Sequence, residues 1–364
     1  MQKILFIADH RPNRSPGQRF RCEQYFDVLQ ANGFACELSY VLNESDDRVF
    51  YRPGNLMRKA WIVAKSFVVR QRDWQRRKEF DAIYIFRNCV LTGSLFFEKK
   101  WAKSGIPVVF DFDDAIWLND TSDANRYFSW LKRPEKVQFT IAASSLVLAG
   151  NEFLKRYAQR FNQRVMVFPS TIDTQRYRAA TKRHGHAYIT IGWSGSITTI
   201  KHFNSALEAL LQIKSKYKTK VRFKVIGDPF YKNEALEIQG CAWSADTEPE
   251  DLADIDIGIM PLPDDEWTQG KCGLKGLQYM AMGIPTIMSP VGVNSEIICH
   301  GSNGFLASDT AQWVECLSQL VENADLRKRL GDAAYCTVDE RFSKKAWAMT
   351  YVDLFKKVIT KEAI

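Results

Sequence analysis

The chain has 364 residues, 46% of them hydrophobic and 25% charged, and a formal net charge of +8. That length suits two domains better than one core, and the composition excludes a disordered chain. No apolar run approaches the roughly 18 residues of a spanning helix, which leaves a soluble or peripheral protein as the expectation.

The opening MQKILFIADH carries an apolar run too short and wrongly flanked for a signal peptide, so a cytoplasmic location is expected. Residues 3–8 read as a strand, 18–32 as a helix stopped by Gly33, and 36–41 as a second strand. Residues 55–78 hold eight basic side chains (Arg58, Lys59, Lys65, Arg70, Arg72, Arg76, Arg77, Lys78) against Asp73 alone. Their helical pattern gathers Met57, Ala60, Trp61, Ala64, Phe67 and Val68 on one face, with Arg58, Lys65 and Arg72 spaced by sevens on another. Such a helix either lies on an anionic membrane surface or packs its apolar face on its own domain. Nothing accompanies it that would present basic charge to nucleic acid.

Further strands are expected at 82–86, 107–110, 145–149 and 165–168, with helical patterns between them, which makes a doubly wound parallel sheet. A polar, basic stretch at about 170–187 breaks the pattern and reads as a linker. It contains His184 and His186, a pair read as linker rather than metal ligands. Strands resume at 188–193, 221–226, 255–260 and 285–288, so a second α/β unit is expected over 187–343. An amphipathic closing helix follows at 344–364 and is expected to pack back on the first domain, residues 1–170. The eight cysteines are scattered, with neither a C-x-x-C pair nor a cluster of metal-ligand spacing, so reduced thiols and no metal are expected.

Open parallel sheets bind ligands beyond the carboxyl ends of their strands. In the second unit the loops there are GWSGSITTIK, GDPFYK and PLPDDEWTQGKCGLK; in the first, ADHRPNRSPGQRFR, RNCVLTG and DFDDAIW. Two such rims would face each other across an interdomain cleft. The sharpest anomaly is GKCGLKGLQYMAMGIP, residues 270–285, where a helix expected from about Gly273 has Lys271 before its first turn and Lys275 within it. A helix N-terminus disfavours cations, so the two lysines either point into solvent or serve a phosphate or diphosphate. GSITTIK offers a weaker anion site, with Gly195 at a turn, Ser196 beside it and Lys201 in a first helical turn; capping alone also explains its Ser and Thr residues. No G-x-G-x-x-G and no G-x-x-x-x-G-K-[ST] occurs, which disfavours a dinucleotide dehydrogenase or a P-loop NTPase.

In the first unit Asp111, Asp113 and Asp114 crowd one strand end. Mutual repulsion would raise the pKa of at least one, leaving Asp113 or Asp114 to orient or deprotonate an acceptor hydroxyl, or to cap a helix. Gly17 would allow close approach of a ligand, with Arg19 and Arg21 gripping a phosphate or solvated at the surface. Arg87 lies in the loop after residues 82–86. On the other rim Asp264, Asp265 and Glu266 with Trp267 suit sugar hydroxyls or form a solvated acidic turn.

The ordered run PSTIDTQRY (from Pro169), IGWSGSITTIK (from Ile191), FKVIGDP (from Phe223), ADIDIGIMPL (from Ala253), KGLQYMAMGIPTIMSPVGVNSEII (from Lys275) and GSNGFLA (from Gly301) resembles the C-terminal half of family 4 glycosyltransferases, which have the GT-B fold. The resemblance covers about residues 165–355. It implies two Rossmann-like domains, the second holding a nucleoside diphosphate sugar and the first the acceptor, with retention of configuration and no metal or other cofactor. Lys201, six residues after Gly195, matches the family's diphosphate-binding lysine, while Ser196 stands where an arginine is usual. Gly227 and Asp228 fall in the matching GDP turn. Gly292, Val293, Asn294 and Glu296 match what looks like the donor-sugar loop. Gly270 and Gln278 replace the family's two spaced glutamates, marking an atypical branch in which Gln278 would bind a ribose hydroxyl and Lys271 with Lys275 would serve the phosphates.

The expected function is transfer of a sugar to a glycan or lipid-linked acceptor in cell-surface polysaccharide synthesis, at the inner face of the cell membrane if the basic helix touches lipid. The alternatives are a GT-B binding subunit that has lost turnover, and a sugar-nucleotide epimerase or glycan phosphorylase on the same fold.

Overall fold

The computed structural model describes residues 1–52, 54–118, 133–178 and 187–362. They form two compact units, Met1–Ser170 with Trp347–Ile364, and Thr171–Ala346. Residues 179–186 of the stretch read as a linker, including His184 and His186, lie outside the described residues. Residues 171–178 belong to the second unit, where Tyr177 is buried.

The first unit is built on a parallel sheet of β1 (Gln2–Ile7), β2 (Phe34–Ser39), β3 (Ala82–Phe86), β4 (Val108–Phe112), β5 (Leu146–Ala149) and β6 (Val165–Val167). Their order is β2-β1-β3-β4-β5-β6, so the chain reverses direction across the sheet between β1 and β3. The central strands AIYIF and VVFDF are buried throughout, as expected of a sheet covered on both faces. The helix Lys344–Thr360 supplies Tyr351, Leu354 and Phe355 to this core, with Tyr351 stacked 4.5 Å from Tyr25 and Phe355 at 5.8 Å from Phe6.

The helix expected at 18–32 is broken into Pro16–Arg21, a 3-10 turn Glu23–Tyr25, and Phe26–Ala31. Polar side chains on either side of Cys22 are claimed by distant groups. Arg21 reaches inward to Asp111, and Glu23 accepts a hydrogen bond from the Asn13 amide at 2.7 Å. Those attachments outweigh the modest gain of continuing a helix through two more turns.

The basic helix Leu56–Gln75 is turned inside out relative to its sequence pattern. Its buried residues are Lys59, Ile62, Ser66, Arg70 and Asp73, whereas Met57 is 90% and Trp61 65% exposed. Arg70 accounts for the rotation. Fully buried, its guanidinium donates to the carbonyls of Ala8 (2.8 Å) and Cys89 (2.6 Å), to Ser39 Oγ (2.6 Å) and to Asp73 (3.0 Å), tying together the ends of β1 and β2 and the loop after β3. Burying Met57 and Trp61 instead would leave that charge and those acceptors without partners, a larger cost than the apolar area regained.

The second unit carries β7 (Ile189–Ser194), β8 (Val221–Ile226), a two-stranded antiparallel hairpin of β9 (Lys232–Asn233) and β10 (Ile238–Gln239), then β11 (Ile257–Met260), β12 (Thr286–Met288) and β13 (Phe305–Leu306). The main sheet is parallel with order β13-β12-β11-β7-β8, so its reversal falls between β7 and β11. Trp193, Leu210, Ile259, Ile287, Trp313 and Leu317 are among its core residues. Among the described residues no helix is long and apolar enough to cross a membrane.

Candidate functional site

In the second unit the three lysines singled out from sequence come to one place. Lys271 precedes the helix Leu274–Ala281, Lys275 sits in its first turn, and Lys201 lies in the helix Ile200–Asn204 after β7. Lys271 Nζ lies 4.8 Å from the centre of the Trp267 ring and Lys275 Nζ 5.5 Å from that of Trp193, both within cation–π range. All three ammonium groups act on the His202 side chain. Burial is the largest cause of its lowered pKa, followed by Lys275, Lys271 and Lys201; Asp265 opposes them, and the group falls to about 4. Positive charge is therefore concentrated beside the N-terminus of an eight-residue helix, which itself favours anions.

The loops around this pole are fixed by backbone packing. Gly227 has φ +121°, and a Cβ there would stand 1.8 Å from the Gly195 carbonyl oxygen, so glycine is required for the β7 and β8 loops to meet. Gly195 N donates to Ile226 O at 2.9 Å, and Asp228 Oδ1 accepts from the Phe230 amide at 3.0 Å, closing the GDP turn. The exposed Ser196 caps its own 3-10 turn with Thr199. Tyr279 Oη accepts from Ser194 N at 2.7 Å, locking the lysine-bearing helix to the end of β7.

Several residues expected to bind donor take other positions. Gln278 is buried, and its Nε2 donates at 2.9 Å to the Tyr177 hydroxyl, which donates to Glu248 at 2.6 Å. That chain engages the amide nitrogen of Gln278, the residue expected at a ribose hydroxyl, within the second unit. Asn294 is likewise buried, its amide donating to Ser289 O at 3.0 Å, and Val293 is buried beside it. Gly292 precedes them, Glu296 is exposed on the short helix Asn294–Ile297, and Gly270 closes the turn after Glu266–Gln269. Asp265 caps that turn by accepting from Thr268 N at 2.8 Å, Asp264 accepts from Gln269, and Glu266 is exposed.

In the first unit Arg21 and Asp111 are not surface groups. Both are fully buried, with Arg21 Nη2 2.6 Å from Asp111 Oδ1 and its Nε at 3.0 Å; Tyr84 also donates to Asp111, and Arg21 to the Phe168 carbonyl. Burial is the main cause that raises the Asp111 pKa, against the pull of Arg21, so the upward shift expected in this cluster arises from desolvation more than from neighbouring carboxylates. The expected acceptor contacts of Arg21 and Asp111 are thereby corrected to a structural ion pair. Arg19 is also buried, over the Phe20 ring.

Gly17, Arg87, Asp113 and Asp114 do come together. Arg87 Nη2 lies 2.6 Å from Asp113 and 3.6 Å from Asp114, and a Cβ on Gly17 would stand 2.7 Å from Asp113 Oδ2 and 2.9 Å from Phe86. Beside them, where the sheet reverses between β1 and β3, lie groups that sequence did not single out. Asn88 donates to Asp9 at 3.2 Å, and Arg11 and Arg14 (3.0 Å) both pair with Asp47. Burial raises the Asp47 pKa, but His10, Arg14 and Arg11 outweigh it and hold the carboxyl below its usual range. Asp9 Oδ1 and Asn88 Oδ1 are buried acceptors without a protein donor. The available signal was position alone, since Asp9 and Asn88 each stand two residues after one of the strands at the reversal. Among the described residues no group of three or more His, Cys, Asp or Glu could hold a metal ion.

Two α/β units, each a parallel sheet whose order reverses beside its first strand, define a chain of the GT-B type with two Rossmann-like domains. Residues 188–323 match the family model described as glycosyl transferases group 1, so the second unit carries a glycosyltransferase domain. Over 89 residues the chain is 32% identical to N-acetyl-alpha-D-glucosaminyl L-malate synthase of Bacillus anthracis; the match covers 24% of this chain and 23% of that enzyme. Sucrose-phosphate synthase from Thermosynechococcus elongatus is similar over 100% of both chains, with TM-score 0.70 and 13% identity. Anabaena HepE, in complex with UDP and glucose, is similar over 98% of this chain and 100% of that one, with TM-score 0.68 and 16% identity. At these identities the likeness to solved structures is one of fold.

Proposed function

We propose that the chain transfers a glycosyl group from a nucleoside diphosphate sugar to a hydroxyl of a glycan or lipid-linked acceptor, in the building of a cell-surface polysaccharide. The observation that carries this reading is that Lys271 and Lys275 stand at the start of one helix, with Lys275 over the ring of Trp193 at the end of β7 and Lys201 in the helix that follows the same strand. As the bond from the anomeric carbon to the diphosphate oxygen breaks, negative charge grows on the leaving group, and fixed ammonium groups stabilise that charge more in the transition state than in the ground state. The acceptor oxygen bonds to the anomeric carbon, and its proton passes to the departing phosphate. This route supports retention and dispenses with a metal. HepE is described with UDP-glucose, which supports a nucleotide-sugar donor here.

The acceptor is assigned to the first unit, at Gly17, Arg87, Asp113, Asp9 and Asn88. Carboxylate and amide oxygens lacking donors suit the hydroxyl groups of a sugar. Asp113, held by Arg87, orients the attacking hydroxyl. The exposed apolar side chains Met57, Trp61 and Val68, with Arg58, Lys65 and Arg72, border a groove of about 700 Å³ and would rest on an anionic bilayer, keeping a lipid-linked acceptor within reach. Each basic group near the surface adds about 1 kcal/mol. Burial of Lys59 and Arg70 and pairing of Lys65 with Asp46 and of Arg76 with Glu37 and Glu79 leave Arg58, Arg72 and Lys78 as the exposed cations of the segment.

A thermal-shift panel of nucleoside diphosphate sugars, repeated on Lys271→Ala and Lys275→Ala, tests the donor site. Stabilisation by one sugar nucleotide, lost in both variants, is expected; equal stabilisation of the variants would refute the assignment. Donor binding with neither transfer nor hydrolysis would instead mark a binding subunit, a reading favoured by Gln278 being engaged with Tyr177. Co-sedimentation with phosphatidylglycerol vesicles should drop when Arg58, Arg72 and Lys78 are changed to Gln, and unchanged binding removes the membrane contact.

A further inference from the structure

One polar side chain in the second unit serves neither the core nor a cap. His202 follows Lys201, its side chain is 2% exposed, and neither Nδ1 nor Nε2 has a hydrogen-bonding partner in the protein. Its neighbour Phe203 does the packing for this helix, 5.9 Å from Trp193 and 5.7 Å from Tyr231. Buried polar groups are nearly always paired, so a buried imidazole with both nitrogens unmatched marks a place where a partner is supplied from outside the chain.

The chemistry of that partner follows from what surrounds the ring. The charged groups acting on it are Lys275, Lys271, Lys201 and Asp265, contributed by the Leu274–Ala281 helix, the residues preceding it, the imidazole's own helix and the loop after β11. The lysines are donors only, and the Asp265 carboxylate, which accepts from Thr268 N at 2.8 Å, is not a hydrogen-bonding partner of either imidazole nitrogen. The N–H of a neutral imidazole therefore needs an acceptor that no neighbouring side chain provides. A diphosphate, which the three ammonium groups already call for, is such an acceptor through its oxygens.

We propose that His202 is a donor-binding residue, its imidazole N–H donating a hydrogen bond to a diphosphate oxygen of the nucleotide sugar held by Lys201, Lys271 and Lys275. The inference rests on the donor site proposed above. It adds a coupling that the lysines alone do not give. An anion among the lysines cancels the field that disfavours a positive imidazole, so a bound diphosphate raises the affinity of His202 for a proton, and by reciprocity acidification tightens donor binding.

The test is calorimetric titration of the full chain with UDP-glucose and ADP-glucose, whose diphosphate diesters keep their charge from about pH 8 to about pH 5. His202→Leu is expected to weaken binding about tenfold, a typical loss for a hydrogen bond to a charged group, and His202→Asn to recover most of it. Wild-type affinity should rise on acidification and that of His202→Leu should not. Equal affinity and equal pH dependence in the leucine variant overturn the proposal. If Lys271→Ala abolishes binding while His202→Leu leaves it intact, this inference fails and the donor site stands; if the wild-type chain binds neither sugar nucleotide, both fall. Should the leucine variant not fold, the wild-type imidazole carbon and proton resonances decide. They must shift on adding UDP-glucose and titrate at higher pH in its presence, and an unmoved signal rules the contact out.

Discussion

The loops at the carboxyl ends of the two sheets are built on opposite electrostatic plans. After β1, β3 and β4 the arginines hold carboxylates: Arg11 and Arg14 pair with Asp47, and Arg87 with Asp113 at 2.6 Å. After β7 and β11 Lys271 and Lys275 lie over indole rings, 4.8 Å from Trp267 and 5.5 Å from Trp193, and with Lys201 act on one buried imidazole. The same doubly wound layout thus yields one pole built on arginine–carboxylate pairs and one where three lysines act on a single imidazole. A balanced pole with spare oxygen acceptors fits a neutral, hydroxyl-rich partner; a cationic pole fits a polyanion.

The largest effect is expected where the balance of the first unit runs into its core. Asp111→Ala strands the buried Arg21 guanidinium, and removing one partner of such a pair typically costs about 3–5 kcal/mol. Chemical denaturation should show that loss, while Asp113→Ala, whose partner Arg87 is 34% exposed and keeps water within reach, should cost less. In the second unit, removing Lys271 and Lys275 together should lower kcat by about 100- to 1000-fold in a sugar-transfer assay, the scale on which fixed charges stabilise a developing anion. Its melting temperature should hold or rise, because two like charges leave the vicinity of a helix N-terminus. A third change tests the first pole alone. Gly17→Ala presses a methyl against Asp113 and Phe86, an overpacking of about 1–3 kcal/mol that should raise the KM for acceptor and leave the Kd for donor unchanged.

The contrast was half legible in the sequence. The cationic pole could be read because lysines at a helix start contradict the helix dipole, and because Lys271 and Lys275 are close neighbours in the chain. The strands at 82–86 and 221–226 were placed to the residue, the first as a continuous apolar run and the second by the alternation of VRFKVI. The balanced pole was read only in part: Gly17, Arg87, Asp113 and Asp114 were singled out, but its other members are paired across tens of residues, such as Arg14 with Asp47 and Asn88 with Asp9. For the same reason Arg21 and Asp111 looked like rim residues: only the folded sheet brings them together inside it, 90 positions apart. The helix Leu56–Gln75 misled differently. Its apolar stripe was identified correctly, but the buried face is set by Arg70 and the carbonyls it gathers, a constraint that periodicity does not register. The hairpin of β9 and β10 has two-residue strands, too short for any period to show.

A final effect bears most directly on the cationic pole, because it is measured without ligand or assay. Burial, Lys275, Lys271 and Lys201 lower the His202 pKa from 6.5 to about 4, with Asp265 opposing. Above about pH 6.5 the group is neutral in both folded and unfolded chains and adds no pH dependence. Between the two values the unfolded chain binds the proton and the folded one does not, so folding stability falls as pH drops from about 6.5 toward 4, and the loss is complete once both forms are protonated. The midpoint of urea unfolding should therefore fall more between neutral and mildly acidic buffer in the wild-type chain than in His202→Leu. Lys275→Ala should lie between them, since it removes the largest of the three charge contributions and leaves the burial in place. Identical acid slopes in wild type and His202→Leu would mean that the lysine charges do not converge on this imidazole, and the contrast between the two poles would lose its sharper half.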